Sequence, residues 1–251
     1  EFGIMEQGIM GFASGLATTG KIPFFAAIAP FVTARPFEMF RNDVGYMRQN
    51  VKVVGRSAGL TYSDLGATHQ SLDDIAIVRT IPGVTVINPG DPVDIVKAVH
   101  AAAEHIGPVY IKIGSPKMPV LMDESYPFQI GKGVVMEEGS DIAIIATGTL
   151  LSKAVAATKV LQKKGIRPRL INMHTIKPLD KELEAFVHCV RTGMAPLVNG
   201  HVGLEALQVA LQVKAKMLDH LQKAFAAGQE TAPLPQISRM RMRSGAATTL
   251  M

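Results

Sequence analysis

Short β-branched, apolar runs alternate along the chain with longer segments whose apolar positions recur every three or four residues. Residues 23–28, 51–55, 84–87 and 109–113 read as buried strands, and residues 6–18, 36–48, 73–80 and 92–105 as helices. This rhythm predicts an α/β fold, a mostly parallel sheet wrapped by helices. Local punctuation agrees: Pro92 stands where an opening helix tolerates it, with Asp91 before it as N-cap.

From residue 114 to 131 the pattern loosens around Pro116, Pro119 and Pro127, which predicts an interdomain linker. A second α/β unit follows. It comprises a strand over 141–146, a turn at Thr147, Gly148 and Thr149, a helix over 151–164 closed by Gly165, a strand over 167–171 and a helix over 181–190. Residues 204–226 are helical by periodicity, residues 227–251 are irregular, and no internal repeat is visible. Two domains are expected, 1–125 and 132–251.

Composition narrows the class. At 251 residues and 47% hydrophobic content the chain can bury a substantial core. Its longest apolar stretch, residues 24–32, is about half of what a membrane span requires and contains Pro30. A single cysteine, Cys189, excludes an internal disulfide framework and a cysteine-rich metal site, and is read as core packing in a reducing cytoplasm. The net charge of +5 is spread along the chain except for Arg239, Arg241 and Arg243. These alternate with Met240 and Met242 and read as a surface strand or tail, since no nucleic-acid-binding motif or aromatic platform accompanies them.

Three clusters carry candidate chemistry. Glu6 is a carboxylate among apolar and glycine residues, poorly solvated and suited to holding a proton or a hydrogen bond, or else an acid favoured at a helix N-terminus. Phe31 follows an apolar strand at a loop, where a planar heterocycle could stack on it or it could pack into the core. His69 lies in the small-residue run Gly66-Ala67-Thr68-His69-Gln70 at a strand-to-helix crossover, where ligands of open α/β sheets bind and where a histidine can equally serve as a cap.

Taken together, these clusters resemble the pyrimidine-binding and C-terminal domains of transketolase, from Gly3 to about Val190. The markers are Gly3-Ile4-Met5-Glu6-Gln7, Ala67-Thr68-His69-Gln70, Asp73-Asp74-Ile75-Ala76 with Arg79-Thr80-Ile81-Pro82, Gly107-Pro108-Val109-Tyr110-Ile111, and Thr175-Ile176-Lys177-Pro178-Leu179-Asp180. The resemblance implies a thiamine-diphosphate enzyme, cut as the C-terminal subunit or half of a transketolase. By position, Glu6 matches the glutamate that bonds N1′ of the aminopyrimidine and promotes the imino tautomer that deprotonates the thiazolium. Phe31 matches the aromatic that stacks on the pyrimidine, and His69 the histidine that hydrogen-bonds the donor ketose. A relative of the same cofactor class, the β subunit of a 2-oxo acid dehydrogenase decarboxylase component, shares the Glu-Gln-Gly start. A noncatalytic regulatory subunit of this fold is a further alternative.

Departures from the family bear on the substrate. Ser57 stands where transketolases carry a histidine, Ser115 near an expected arginine, and Leu65 in place of an acid that contacts a substrate hydroxyl. Arg56 and Lys117 could supply charge, but a lysine cannot copy a bidentate arginine. An unusual or unphosphorylated acceptor is expected. The family's Gly-Asp-Gly motif, which with a following asparagine holds the diphosphate and Mg2+, does not occur in the sequence. A diphosphate-binding N-terminal subunit or domain is therefore expected as partner, in an α2β2 or dimeric assembly. The first strand and helix of the pyrimidine domain are expected to precede Glu1. After Thr192 the likeness fades, and no catalysis is assigned to His201.

Overall fold

The computed structural model describes residues 2–62, 64–114 and 117–178. These lie in one compact unit, and the helices expected over 181–190 and 204–226, Cys189, His201 and the arginine-methionine tail fall outside the described residues.

The chain opens with helix α1 (Glu6–Ala17) and strand β1 (Phe24–Ile28), followed by short helices α2 (Ala29–Val32) and α3 (Phe37–Met39). Helix α3 runs directly into a π-helical segment, Phe40–Tyr46. Then come β2 (Lys52–Arg56), a 3-10 turn (Gly66–Thr68), α4 (Asp74–Arg79), β3 (Thr85–Ile87), α5 (Pro92–Glu104) and β4 (Val109–Lys112). The second part supplies β5 (Val134–Glu137), β6 (Ile142–Ala146), α6 (Leu151–Lys163), β7 (Pro168–Asn172) and β8 (Thr175–Lys177).

Two sheets result. The first has the order β1-β2-β4-β3-β8, parallel throughout except for β8, and the second has the order β5-β7-β6, with β6 and β7 parallel and β5 antiparallel. Period-two alternation sorts the first sheet's side chains onto two cores. Val53, Val86 and Tyr110 face Met10, Phe25, Phe40 and Val44, while Val54, Ile87, Val109 and Ile111 face Ala98 and Ala102 of α5. Helix α5 starts as its sequence demands: Asp91 accepts from the Asp94 amide at 2.7 Å, with Pro92 in the first turn.

Three expectations are corrected. The continuous helix over 36–48 is instead α3 plus a π-helical segment. Val134–Glu137 and Thr175–Lys177 are strands that periodicity passes over. The second of these crosses from the second α/β part to pair with β3, so the first sheet is completed by a strand from beyond the expected linker. That linker is itself held down: the amides of Leu121 and Met122 donate to Asp91 Oδ2 at 2.7 Å each, and the Tyr126 hydroxyl donates to Asp94.

Candidate active site

Parallel strands place their C-terminal ends together, and the crevice outside those ends is where an open α/β sheet can hold a ligand. β1 ends at Ile28 beside the end of β2 at Arg56. Phe31 and Arg35 follow the first and His69 follows the second. Helix α1 precedes β1, and its first residue, Glu6, is bonded to Arg35 at the same edge.

Glu6 is buried, with 9% of its surface exposed. No side chain caps the start of α1, so the N-terminal amides and the carboxylate of Glu6 itself set the local charge. Arg35 Nη1 donates to Glu6 Oε2 at 2.8 Å. The same guanidinium lies over the Phe31 ring, with Cζ 4.0 Å from its centroid. Burial pushes the Glu6 carboxyl up, but the Arg35 hydrogen bond, the residue's own amide and the Arg35 charge together hold it below its ordinary value.

The backbone fixes Arg35 from both sides. Its amide donates to the Pro30 carbonyl at 3.1 Å, and its carbonyl accepts from Gln7 Nε2 at 3.2 Å. The ring of Phe31 meets His69 edge-on at a centroid distance of 5.2 Å, and Tyr62 approaches His69 at 5.9 Å. His69 Nδ1 is within 3.0 Å of Thr68 Oγ1, which leaves Nε2 to meet a ligand. The loop bearing His69 is clamped at its base, where Gly59 and Ser71 exchange backbone hydrogen bonds at 3.1 and 3.0 Å.

Glu6, Phe31 and His69 are thus brought together by the fold. Arg56 is exposed at the end of β2, with Nη1 3.5 Å from the Tyr62 hydroxyl. Ser57, next to it, takes a φ of 53°. Leu65 is half exposed, at 50%, on the His69 loop. Ser115 lies outside the described residues. A hollow of about 430 Å³ adjoins Glu6, lined by α1 and β1 residues including Phe12, Ala13, Phe24 and Phe25. Glu6 is among its lining residues, whereas Phe31 and His69 are not.

Two features escape sequence reasoning. Arg35 reads as an ordinary surface cation, although an Arg-Pro step shortly after Phe31, which the structure places in helix α2 rather than on the expected loop, is an available signal. Asp74 stands out in the sequence only as part of a family marker. It is fully buried and accepts from the Tyr110 hydroxyl and from Lys112 Nζ, both at 2.7 Å. Burial, then the Asp74 charge and hydrogen bond, push the Tyr110 phenol far up, so it stays a donor. Among the described residues no cluster of acids, histidines or cysteines could hold a metal ion, and no helix is long and apolar enough to cross a membrane.

The chain is similar to known proteins over both of its α/β parts. Residues 1–118 match the family model of the transketolase pyrimidine-binding domain, and residues 131–226 that of the transketolase C-terminal domain. A putative transketolase C-terminal section from Methanocaldococcus jannaschii is 40% identical over 183 residues, covering 72% of this chain and 58% of that protein. An apulose-4-phosphate transketolase subunit from Phocaeicola vulgatus is 39% identical over 183 residues, covering 72% of this chain and 59% of that protein. The chain therefore spans somewhat under two thirds of the length of these curated relatives. Among solved structures, a split-gene transketolase described as an inactive beta4 tetramer is 40% identical with a TM-score of 0.67, over 75% of this chain and 60% of that one. The transketolase of Campylobacter jejuni, at 20% identity and a TM-score of 0.66 over 72% of this chain and 29% of its own, shares the fold. On the two matched domains and these relatives, the chain belongs to the transketolase family.

Proposed function

We propose that the chain supplies the pyrimidine half of a thiamine-diphosphate active site in a transketolase that moves a two-carbon ketol unit between sugars. The arrangement of Glu6, Arg35, Phe31 and His69 at the strand ends carries this reading. A flat, donor-bearing group, the guanidinium, already lies on Phe31 and hydrogen-bonds Glu6. An aminopyrimidine would make the same two contacts, so the residues fit it.

When bound, the cofactor supplies the electron sink for the two-carbon fragment. Glu6 then shares a proton at N1′, which asks for a buried carboxyl within reach of a ring nitrogen. Phe31 orients the ring by stacking, and His69 presents Nε2 to a substrate oxygen. The diphosphate and Mg2+ are assigned to a partner chain or domain, since the Gly-Asp-Gly motif is absent from the sequence. Relatives that are themselves a transketolase subunit and a C-terminal section are consistent with such a division.

With the diphosphate-binding partner reconstituted, Glu6→Gln should lower turnover by about a hundredfold to ten-thousandfold while the far-ultraviolet circular dichroism stays that of the wild type. Near-normal turnover in the variant would refute the role of Glu6. Calorimetry separates the split-site element of the reading. This polypeptide alone should bind thiamine diphosphate with Mg2+ weakly or not at all, and tight Mg2+-dependent binding by it would show that no partner is needed.

A further inference from the structure

We infer that Arg35 is a displaceable latch on the pyrimidine site, occupying in the free chain the volume that the cofactor's ring would take. The inference rests on the reading of Glu6 and Phe31 as the pyrimidine's contacts. Its ground is geometric. One guanidinium touches Glu6 Oε2 at 2.8 Å and lies 4.0 Å over the Phe31 ring. A ring stacked on Phe31 within hydrogen-bond reach of Glu6 has to fall between those same two surfaces.

The chemistry points the same way. Sharing a proton at N1′ requires a carboxyl that can keep one, whereas a guanidinium partner holds the carboxylate ionised. Burial alone would raise the Glu6 carboxyl, and the Arg35 hydrogen bond and charge, together with the residue's own amide, hold it below the ordinary value. The latched arrangement is therefore suited to storage and ill suited to catalysis.

Release is mechanically simple. The Arg35 side chain is 40% exposed and touches Glu6 through one nitrogen, while its backbone is pinned at Pro30 and Gln7. A change of side-chain rotamer moves the guanidinium into water without moving the short helix α2 that carries Phe31. Until then it fills the gap between a buried acid and an aromatic face, and it sets a threshold for cofactor entry. The apparent affinity of a site falls by the fraction of molecules that are competent.

The test uses the full chain and 4-amino-5-hydroxymethyl-2-methylpyrimidine, the cofactor's ring without its thiazolium or diphosphate, at millimolar concentrations followed by NMR. Arg35→Met removes the charge and keeps much of the bulk. It should bind the fragment about tenfold more tightly than the wild type, the gain expected if one charge-assisted hydrogen bond no longer competes. In wild-type chain labelled at arginine, the Arg35 Nε–H signal should shift in step with fragment binding. That second measurement stands even if the variant fails to fold, and an Arg35 signal unmoved at saturation would overturn the latch. Equal or weaker fragment binding by a folded Arg35→Met, with binding still lost in Glu6→Ala, would also overturn it while sparing the pyrimidine site. Fragment binding indifferent to Glu6→Ala would overturn the site reading and the latch with it.

Discussion

Leu65 puts an exposed apolar side chain on the loop that carries His69, where the family resemblance implies an acid, and Ser57 stands beside Arg56 where it implies a histidine. Each charge-assisted hydrogen bond to a phosphate contributes about 1.5–3 kcal/mol, so losing the two sugar-phosphate contacts that the family resemblance implies at Ser57 and near Ser115 would reduce selectivity for a phosphorylated over a plain sugar by about two to four powers of ten. Arg56 is the neighbouring cation, and it leans toward the Tyr62 hydroxyl at 3.5 Å. We therefore propose an acceptor that is unphosphorylated or less polar at the position facing Leu65. Comparing kcat/KM for matched sugars with and without the terminal phosphate, in the reconstituted complex, should give a small ratio. A strong preference for the phosphorylated sugar would mean that Arg56, Lys117 or the partner rebuilds the phosphate contact. At this scale Glu6, Phe31 and His69 stand out in the sequence through the order and spacing of the motifs that carry them, while each alone reads equally well as a cap or a core residue. Arg35 does not, because a surface arginine becomes informative only once its carboxylate and aromatic partners are placed beside it.

Strands β1 to β4 and helices α1, α5 and α6 were legible within a residue or two, because each carries its own period and its own start or stop signal. Asp91 caps α5, and Gly165, at a φ of 78°, closes the turn after α6. What escaped depends on pairing. β8 is three residues long and is a strand only because Ile87 and Val86 of β3 meet it. β5 follows Gly131, Lys132 and Gly133, which read as loop. The region 36–48 kept its helical period but not a uniform helix, since periodicity cannot separate an α from a π hydrogen-bond ladder. One strand position also sets the site's support. A Cβ on Gly55 would lie 2.4 Å from the Tyr110 hydroxyl and 2.9 Å from its Cε2. The bare backbone of β2 is what admits the Tyr110 ring that reaches Asp74. Gly55→Val should therefore cost about 1–3 kcal/mol from overpacking and detach Tyr110 from Asp74. Urea denaturation should show the lowered midpoint, and an unchanged midpoint would mean that the ring has room to turn aside.

The described molecule is held between its two sheets by a buried polar seam as well as by apolar packing. Asp94 Oδ2 accepts from the Gly90 amide at 2.7 Å and from Asn172 Nδ2 at 3.0 Å, and its other oxygen accepts from the Tyr126 hydroxyl. The Asn88 amide donates to the His174 carbonyl at 2.7 Å, which brings the residue before β8 onto the end of β3. The His174 ring stacks on Phe128 at 4.0 Å, with Nδ1 3.0 Å from Thr175 Oγ1, and its buried Nε2 has no hydrogen-bond partner. Burial pushes the His174 imidazole below its ordinary value, against the opposing pull of Asp94. Burial, and then the Lys52 charge, do the same to His105. Both histidines are thus folded in the neutral form. As pH falls through the ordinary histidine value of about 6.5, the unfolded chain takes up protons that the folded chain refuses, so stability drops until the folded values are reached. Glu6 and Asp141, whose carboxyls are held low, extend the loss into a separate and more acidic window. The urea midpoint should therefore fall between about pH 7.5 and about pH 5.5, above the window in which the Glu6 and Asp141 carboxyls are protonated. His105→Gln should flatten part of that fall, because the glutamine has no proton to gain. A midpoint that is level or rises as the wild-type chain is acidified across that window would show that the two imidazoles are charged within the fold.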